Sequence, residues 1–371
     1  MAGTDDTDGM DDMDDMDDTD ALDPRHLLDR VTAVARRRWP GAELLGLRRL
    51  EGGVSSLTHA STLVGAGPER GVVLKVAPAG LAPVRNRDVL RQARVLHALH
   101  GTAGFPVPEV LLEDGGAPPE VPPLFVMELS PGDSYEPGLD VAPAPPAAAT
   151  VAERYRTAVR ALARLQSIEP ERLSLGPEPV TGPGEELERW RRLFGTVDDD
   201  IAPGHEELYA RLAAQVPEGV APRLLHGDFR LANMLFEGDR LSAVIDWEIW
   251  SLGDPRTDLA WLLMHLRPAH VFHAARPAAD RAAASLLPTA EEALEVYERE
   301  RLAAGARQQD AAGVRRDLAW FLAVCHYKTA STIAVIWKRE RRQADPDPKL
   351  VTASRHLTDV LRAGHVALDA R

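Results

Sequence analysis

Hydrophobic periodicity changes once along this chain, and that change narrows the folds open to it. Between Ala42 and Glu128 the apolar residues fall into short extended runs: Leu44–Leu50, Thr58–Val64, Val72–Val76, Val110–Leu112 and Leu124–Glu128. Several are parted by glycine or proline turns. One amphipathic helix interrupts them over Asp88–His100, with Val89, Leu90, Ala93, Leu96 and Leu99 on one face. Three strands, a helix and two strands predict a small antiparallel sheet carrying a single helix, rather than a repeating β-α-β array. A helix precedes this region at Pro24–Arg38. Beyond it, helical spacing takes over at Val151–Ile168, Glu185–Phe194, Glu206–Ala214, Arg256–His265, Ala290–Ala303, Gln309–Trp337 and Leu350–Val366. Only Met234–Phe236 and Leu241–Asp246 read as strands there. The prediction is an α+β chain with a sheet-bearing lobe at 21–128, a Pro/Gly/Ala-rich hinge and linker at 129–150, and a helical lobe at 151–371.

Charge and cysteine content exclude several functions. The formal charge of −14 owes much to ten aspartates among the first twenty residues, a stretch expected to be a disordered acidic tail. The remainder holds 47 acidic against 43 basic residues, so no nucleic-acid footprint and no basic membrane face are expected. A single cysteine, Cys325, excludes an internal disulfide, and no Cys/His cluster has zinc-ligand spacing. The acidic N-terminus is unlike a secretory leader, and no run of 18 apolar residues occurs. A cytoplasmic protein acting on small molecules is expected, with its oligomeric state left open.

The densest chemistry lies in Leu224–Trp247, LLHGDFRLANMLFEGDRLSAVIDW. His226-Gly227-Asp228 is followed four residues later by Asn233, then by a hairpin that delivers Asp246. Phosphoryl transfer to a hydroxyl needs one carboxylate to take the proton, and an amide oxygen with a second carboxylate to hold Mg²⁺ against nucleotide phosphates. The spacing is the H-x-D-x-x-x-x-N arrangement of a kinase catalytic loop, which makes Asp228 the base and Asn233 and Asp246 the metal ligands. The alternative is that Asp228 and Asn233 form turns and Asp246 caps the next element. Downstream, Asp254 before Pro255 is a helix-start signal. Asp258 either braces the catalytic loop, through Arg230, or complements the helix dipole.

Lysine is scarce: four lysines stand beside 39 arginines. Lys75 sits in the apolar strand Gly71–Val76, where nucleotide phosphates would give its charge a purpose; the alternative is an edge lysine with its ammonium in water. Gly52, Gly53, Ser55 and Ser56 lie between the first two strands, where backbone N–H groups and hydroxyls could face phosphates.

Taken together, HGD(x4)N, DWE and GDPxxDLAW resemble the aminoglycoside phosphotransferase/choline kinase group of protein-kinase-like enzymes. The wording HGDFRLANMLF…VIDWEIWSLGDPRTDLAWLL is closest to the branch that includes domains fused to acyl-CoA dehydrogenases. This likeness runs from about Leu45 to about Glu340. The resemblance implies a bilobal protein-kinase-like fold: a five-stranded nucleotide-binding N-lobe and a larger helical, substrate-binding C-lobe. It implies a hinge at Met127-Glu128-Leu129 whose backbone meets the purine, and ATP or GTP as co-substrate with Mg²⁺. The γ-phosphoryl group would pass to a small-molecule hydroxyl of an antibiotic, an amino alcohol or a hydroxyacyl-type acceptor. Two positions depart from the pattern. Gln92 replaces the lobe-helix glutamate that pairs with the strand lysine, and Gln166 replaces a histidine. An acidic acceptor pocket from Glu185, Glu186, Glu188 and Asp198–Asp200 competes with an anion-binding one from Arg189, Arg191 and Arg192, and with a plain exposed face. Gln92 keeps open a nucleotide-binding pseudokinase or regulatory module without turnover. A scaffold docking partners through the acidic tail is the third reading.

Overall fold

The computed structural model describes residues 23–50, 56–137, 139–140, 142, 144–266, 277–308, 310 and 313–370. The acidic run 1–20 and the loop residues Gly52, Gly53 and Ser55 lie outside the described residues. The chain divides into two compact units, the first comprising 1–132, 173–176 and 242–250, the second the rest. The segment around Asp246 thus groups with the sheet, a placement that linear reading of the lobes does not foresee.

The first unit opens with α1 (Pro24–Arg38). Asp23 accepts the Arg25 N–H at 2.9 Å, Pro24 occupies the first turn, and Arg36, Arg37 and Arg38 complement the C-terminal dipole. Five strands follow, β1 (Glu43–Arg49), β2 (Leu57–Val64), β3 (Arg70–Val76), β4 (Val110–Asp114) and β5 (Leu124–Glu128), with α2 (Val89–Leu99) between β3 and β4. They form one antiparallel sheet in the order β1-β2-β3-β5-β4. Leu27, Val31 and Ala35 of α1 pack against Leu44, Val72, Leu74, Val76, Leu124 and Val126, one face of the pleat. Lys75 alternates to the other face. It sits in the central strand, paired with Thr58 and Phe125 and 7% exposed, so the edge-lysine alternative is overturned.

The second unit contains α3 (Ala148–Leu165), β6 (Val180–Thr181), α4 (Pro183–Phe194), α5 (His205–Ala213), β7 (Arg223–Leu225) and β8 (Met234–Glu237). The chain then runs through β9 (Arg240–Val244), β10 (Ser251–Gly253), α6 (Arg256–His265), α7 (Ala278–Ala283), α8 (Ala290–Ala303), α9 (Leu318–Glu340), α10 (Pro348–Arg355) and α11 (Leu357–Asp369). Two strands were expected here; a further sheet, β6-β10-β7, is also present. The last helix, expected to be continuous over 350–366, breaks at His356, whose ring contacts Asp359.

Helix α9 organises this unit, with α4, α5, α6, α10 and α11 packed around it. By length and apolar content it could cross a membrane, yet 61% of its apolar window is buried in the unit. The approach of α11 is close at Gly364, where an added Cβ would lie 2.6 Å from Leu208 Cδ2.

Candidate active site

The second unit holds the HGD loop at the end of β7. Asp258, fully buried in the first turn of α6, accepts the N–H groups of His226 at 2.6 Å and Gly227 at 3.0 Å. It therefore braces the loop through the backbone, and not through Arg230. Gly227 has φ +85°, a left-handed conformation that glycine adopts at no steric cost. This turns the chain so that the Asp228 N–H reaches His226 Nδ1 at 3.2 Å, which makes Nδ1 the acceptor nitrogen.

Four donor contacts converge on the Asp228 carboxylate. Arg230 Nε lies 3.0 Å from Oδ1 and 3.2 Å from Oδ2, Trp261 Nε1 donates to Oδ1 at 2.8 Å, and Asn233 Nδ2 donates to Oδ2 at 2.7 Å. The side chain remains 25% exposed and so open to a ligand. Burial would raise this carboxyl, but Arg230 first and Lys328 next hold it well below the usual carboxylate range. The turn-former alternative does not account for this convergence. Asn233 spends its amide N–H groups on Asp228, the second on its carbonyl at 2.9 Å, which leaves Oδ1 as the ligating atom.

Three partners of this loop escape motif reading. Lys328, in the middle of apolar α9, donates to the Gly227 carbonyl at 2.6 Å and lies 4.1 Å from the Trp261 ring and 5.2 Å from the Trp190 ring. The rarity of lysine that singles out Lys75 would have singled it out too. Trp261 ends the DLAW segment. Glu136, fully buried, accepts the Ala232 N–H at 3.0 Å, and its Oε1 has no partner among the described residues. Burial pushes its carboxyl up to about 8, against the pull of Arg230 and the Ala232 N–H.

The first unit holds Lys75 and Asp246 together, Nζ donating to Oδ1 at 2.8 Å. Asp246 lies beyond the end of β9 at φ +65°, an uncommon backbone for a residue with a side chain. Flanking tryptophans hold it there. Trp247 packs edge-on to Phe105 at 5.9 Å, and Trp250 lies under the Arg91 guanidinium at 3.9 Å while exchanging hydrogen bonds with Arg91. Gln92 is buried, and its Nε2 has no partner among the described residues; no Lys75–Gln92 bond forms. Ser56 is likewise buried with an unpartnered Oγ. At the hinge, Met127 is buried, while Glu128 and Leu129 are exposed. Their N–H groups donate to Glu109 O at 2.9 Å and Gly71 O at 3.1 Å, so neither N–H is left for a purine.

Asn233 Oδ1 in the second unit and the Asp246 carboxylate oxygens in the first are each hard donors of the kind Mg²⁺ takes, so by chemistry each suits that ion. Several of the charges considered for an acceptor pocket are engaged by the chain itself. Glu185 caps α4 through the Gly182 N–H at 2.8 Å, Glu186 accepts from Trp190 Nε1 at 2.7 Å, and Asp198 and Asp200 pair with Arg341. Gln166 is structural: its Nε2 donates to the Pro255 carbonyl at 2.9 Å and its Oε1 accepts from Tyr297.

Comparison with known proteins converges on one lineage. Viomycin phosphotransferase of Streptomyces vinaceus is 34% identical over 46% of this chain and 60% of its own length. Acyl-CoA dehydrogenase family member 10 of Mus musculus is 30% identical over 62% of this chain but only 22% of its own. The chain thus spans 60% of the first of these curated relatives and about a fifth of the second. Among solved structures, a candidate aminoglycoside phosphotransferase from Ralstonia eutropha superposes with TM-score 0.71 at 21% identity, covering 92% of this chain and 98% of that one. The aminoglycoside phosphotransferase APH(4)-Ia, solved in ternary complex with ADP and hygromycin B, does so with TM-score 0.56 at 17% identity over 90% and 98%. These neighbours share the α+β, protein-kinase-like fold. The model of the APH phosphotransferase enzyme family matches residues 46–302, a span that includes Lys75, the HGD loop, Asp246 and Asp258. With more than half of its length inside that match, the chain belongs to the phosphotransferase enzyme family.

Proposed function

We propose that this protein transfers the γ-phosphoryl group of ATP or GTP to a hydroxyl of a small molecule, in the cytoplasm and with Mg²⁺. The observation that carries the reading is the Asp228 carboxylate, fixed by Arg230, Trp261 and Asn233 yet still exposed to a ligand. Depressed basicity makes Asp228 a weak ground-state base. A loose phosphoryl-transfer transition state asks first for orientation and only later for proton removal, which suits such a group. The acceptor oxygen bonds to the γ-phosphorus, the bond to the β-phosphate oxygen breaks to leave the nucleoside diphosphate, and the hydroxyl proton passes to Asp228. Lys75 supplies positive charge for the nucleotide phosphates, and the buried Ser56 hydroxyl supplies a donor with no internal partner. Mg²⁺, when held by Asn233 and Asp246, would neutralise charge on those phosphates. Complexes of related folds with ADP support ATP as donor, and relatives named for viomycin, aminoglycosides and macrolides support an antibiotic-like alcohol as acceptor.

The test is Asp228→Asn, assayed for Mg²⁺-dependent turnover with ATP and GTP against aminoglycoside, macrolide, viomycin, amino-alcohol and hydroxyacyl panels, with ³¹P detection. Turnover is expected to fall by roughly two to four powers of ten while nucleotide still raises the melting temperature. Undiminished turnover in the variant would refute the assignment. A second reading, nucleotide binding without turnover, is favoured by the uncharged and unpartnered Gln92. It requires thermal stabilisation by nucleotide, no transfer to any acceptor, and a gain of activity in Gln92→Glu.

A further inference from the structure

The second unit contains a cavity of about 580 Å³ with an unusually cationic wall. Six arginines line it: Arg172, Arg223, Arg256, Arg301, Arg307 and Arg316. Four have carboxylate partners. Arg172 pairs with Glu169, Arg307 with Asp310, Arg256 with Asp254 and Asp317, and Arg316 with Asp317. Arg223 and Arg301 do not; among the described residues neither makes an ion pair. Instead both guanidinium groups donate to one neutral atom, the Gln166 carbonyl oxygen, Arg223 through Nε at 2.9 Å and Arg301 through Nη1. Two like charges are thus gathered at one point without a counter-charge in contact.

Arg301 is the more telling of the two. It is 7% exposed, and its Nε is buried with no hydrogen-bond partner among the described residues. A buried guanidinium N–H is costly to leave unmade, and Arg301 carries that cost at the wall of the cavity. Burial lowers its basicity and Arg223 adds to that, against the opposing pull of Tyr297 and Asp310. Guanidinium forks match tetrahedral oxyanions, and the cavity volume falls within the range of small-ligand sites.

We propose that this cavity is a binding site for a phosphate-bearing small molecule, whose oxyanion is received by Arg301 and Arg223. It is a different feature from the HGD loop, and nothing in the phosphoryl-transfer reading requires it. Arg223 begins the strand β7, whose far end leads into His226, so an anion here loads the strand that carries the loop.

The test is thermal melting of the full chain with inorganic phosphate, sodium acetate and sodium chloride at matched ionic strength. It is run on the wild type, on Lys75→Met to remove phosphate binding at the nucleotide lysine, and on Arg301→Met and Arg223→Gln. Phosphate is expected to raise the melting temperature saturably, by roughly a few degrees at a hundredfold excess over its dissociation constant, in the wild type and in Lys75→Met. Both arginine variants should lose that rise. If Arg301→Met does not fold, Arg223→Gln carries the comparison. A rise lost in Lys75→Met but kept in a folded arginine variant would overturn the site, as would the absence of any saturable rise beyond chloride. An equal rise with acetate would overturn the phosphate class. Because the readout is melting and not turnover, failure here leaves the transferase reading standing, and the reverse also holds.

Discussion

Replacing Asp258 by asparagine should unfasten the catalytic loop at a cost that the structure lets one work out. The carboxylate accepts two buried N–H groups, from His226 at 2.6 Å and Gly227 at 3.0 Å. Hydrogen bonds to a charged acceptor contribute about 1.5–3 kcal/mol each. Asparagine keeps one oxygen and turns an NH₂ group toward the other N–H, so one bond becomes neutral and one buried donor is left unmet, a further cost of about 1–3 kcal/mol. The opposing effect is relief of a buried charge, since burial raises the Asp258 carboxyl above its ordinary value. That relief is partial, because Lys328 loses a favourable partner charge at the same time. The net expectation is a loss of about 3 kcal/mol, read as a lowered urea midpoint with an unchanged slope. Turnover should fall with it, since the backbone that aims Asp228 is the part released. A variant as stable as the wild type, with the same midpoint within about 0.5 kcal/mol, would refute the claim that Asp258 holds the loop through its backbone.

Other consequences are open to direct measurement. Trp261→Phe removes the Nε1 donor to Asp228 while keeping an aromatic face for Lys328; the kcat should drop roughly 10- to 150-fold, the equivalent of one charge-assisted hydrogen bond, with little change in nucleotide KM. Glu136 titrates at about 8 in the folded chain against an ordinary 4.5, so the native state binds the extra proton between those values. Stability should therefore fall as pH rises from about 4.5 to 8, by at most about 1.4 kcal/mol per unit, and urea unfolding of Glu136→Gln across that window should lose this component. Lys328→Met removes one of the cations that depress Asp228, so the acid limb of the pH–rate profile should move upward; an unmoved limb would leave Lys328 a packing residue only. Lys75→Met should abolish stabilisation by nucleotide while sparing the fold of the helical unit, as followed by melting with and without Mg·ATP.

Much of this was legible before any coordinates, because the informative elements carry strong local signals. Helices α1, α6 and α8 lie where the sequence places them, each with a proline or capping residue at its start, and α1 with a clear apolar stripe as well. The strands β6, β7 and β10 were not foreseen because two or three residues are too few to show a period of two. The short α7, AADRAA, offers no amphipathic stripe and went unread for the same reason. A fixed spacing put forward Asp228, Asn233 and Asp246, whereas Trp261, Lys328 and Glu136 reach the HGD loop from distant segments. Trp261 lies in the GDPxxDLAW run and lysine scarcity marks Lys328, but what these side chains touch is a property of packing that no local pattern states. Asp258 was found by position, but its partners were not, since two backbone N–H groups leave no trace in side-chain identity.

The backbone at Asp246 has a consequence of its own. Its φ of +65° suits glycine better than any residue with a Cβ, by about 1 kcal/mol. Aspartate there is retained against the preference of the main chain, for the sake of its carboxylate alone. A change to glycine or asparagine here would relieve the backbone but strand the buried Lys75 ammonium without its carboxylate, so position 246 is free to change only together with position 75. The carboxylate, the left-handed backbone and the strand lysine thus form one unit, and a substitution at any of the three is felt at the other two.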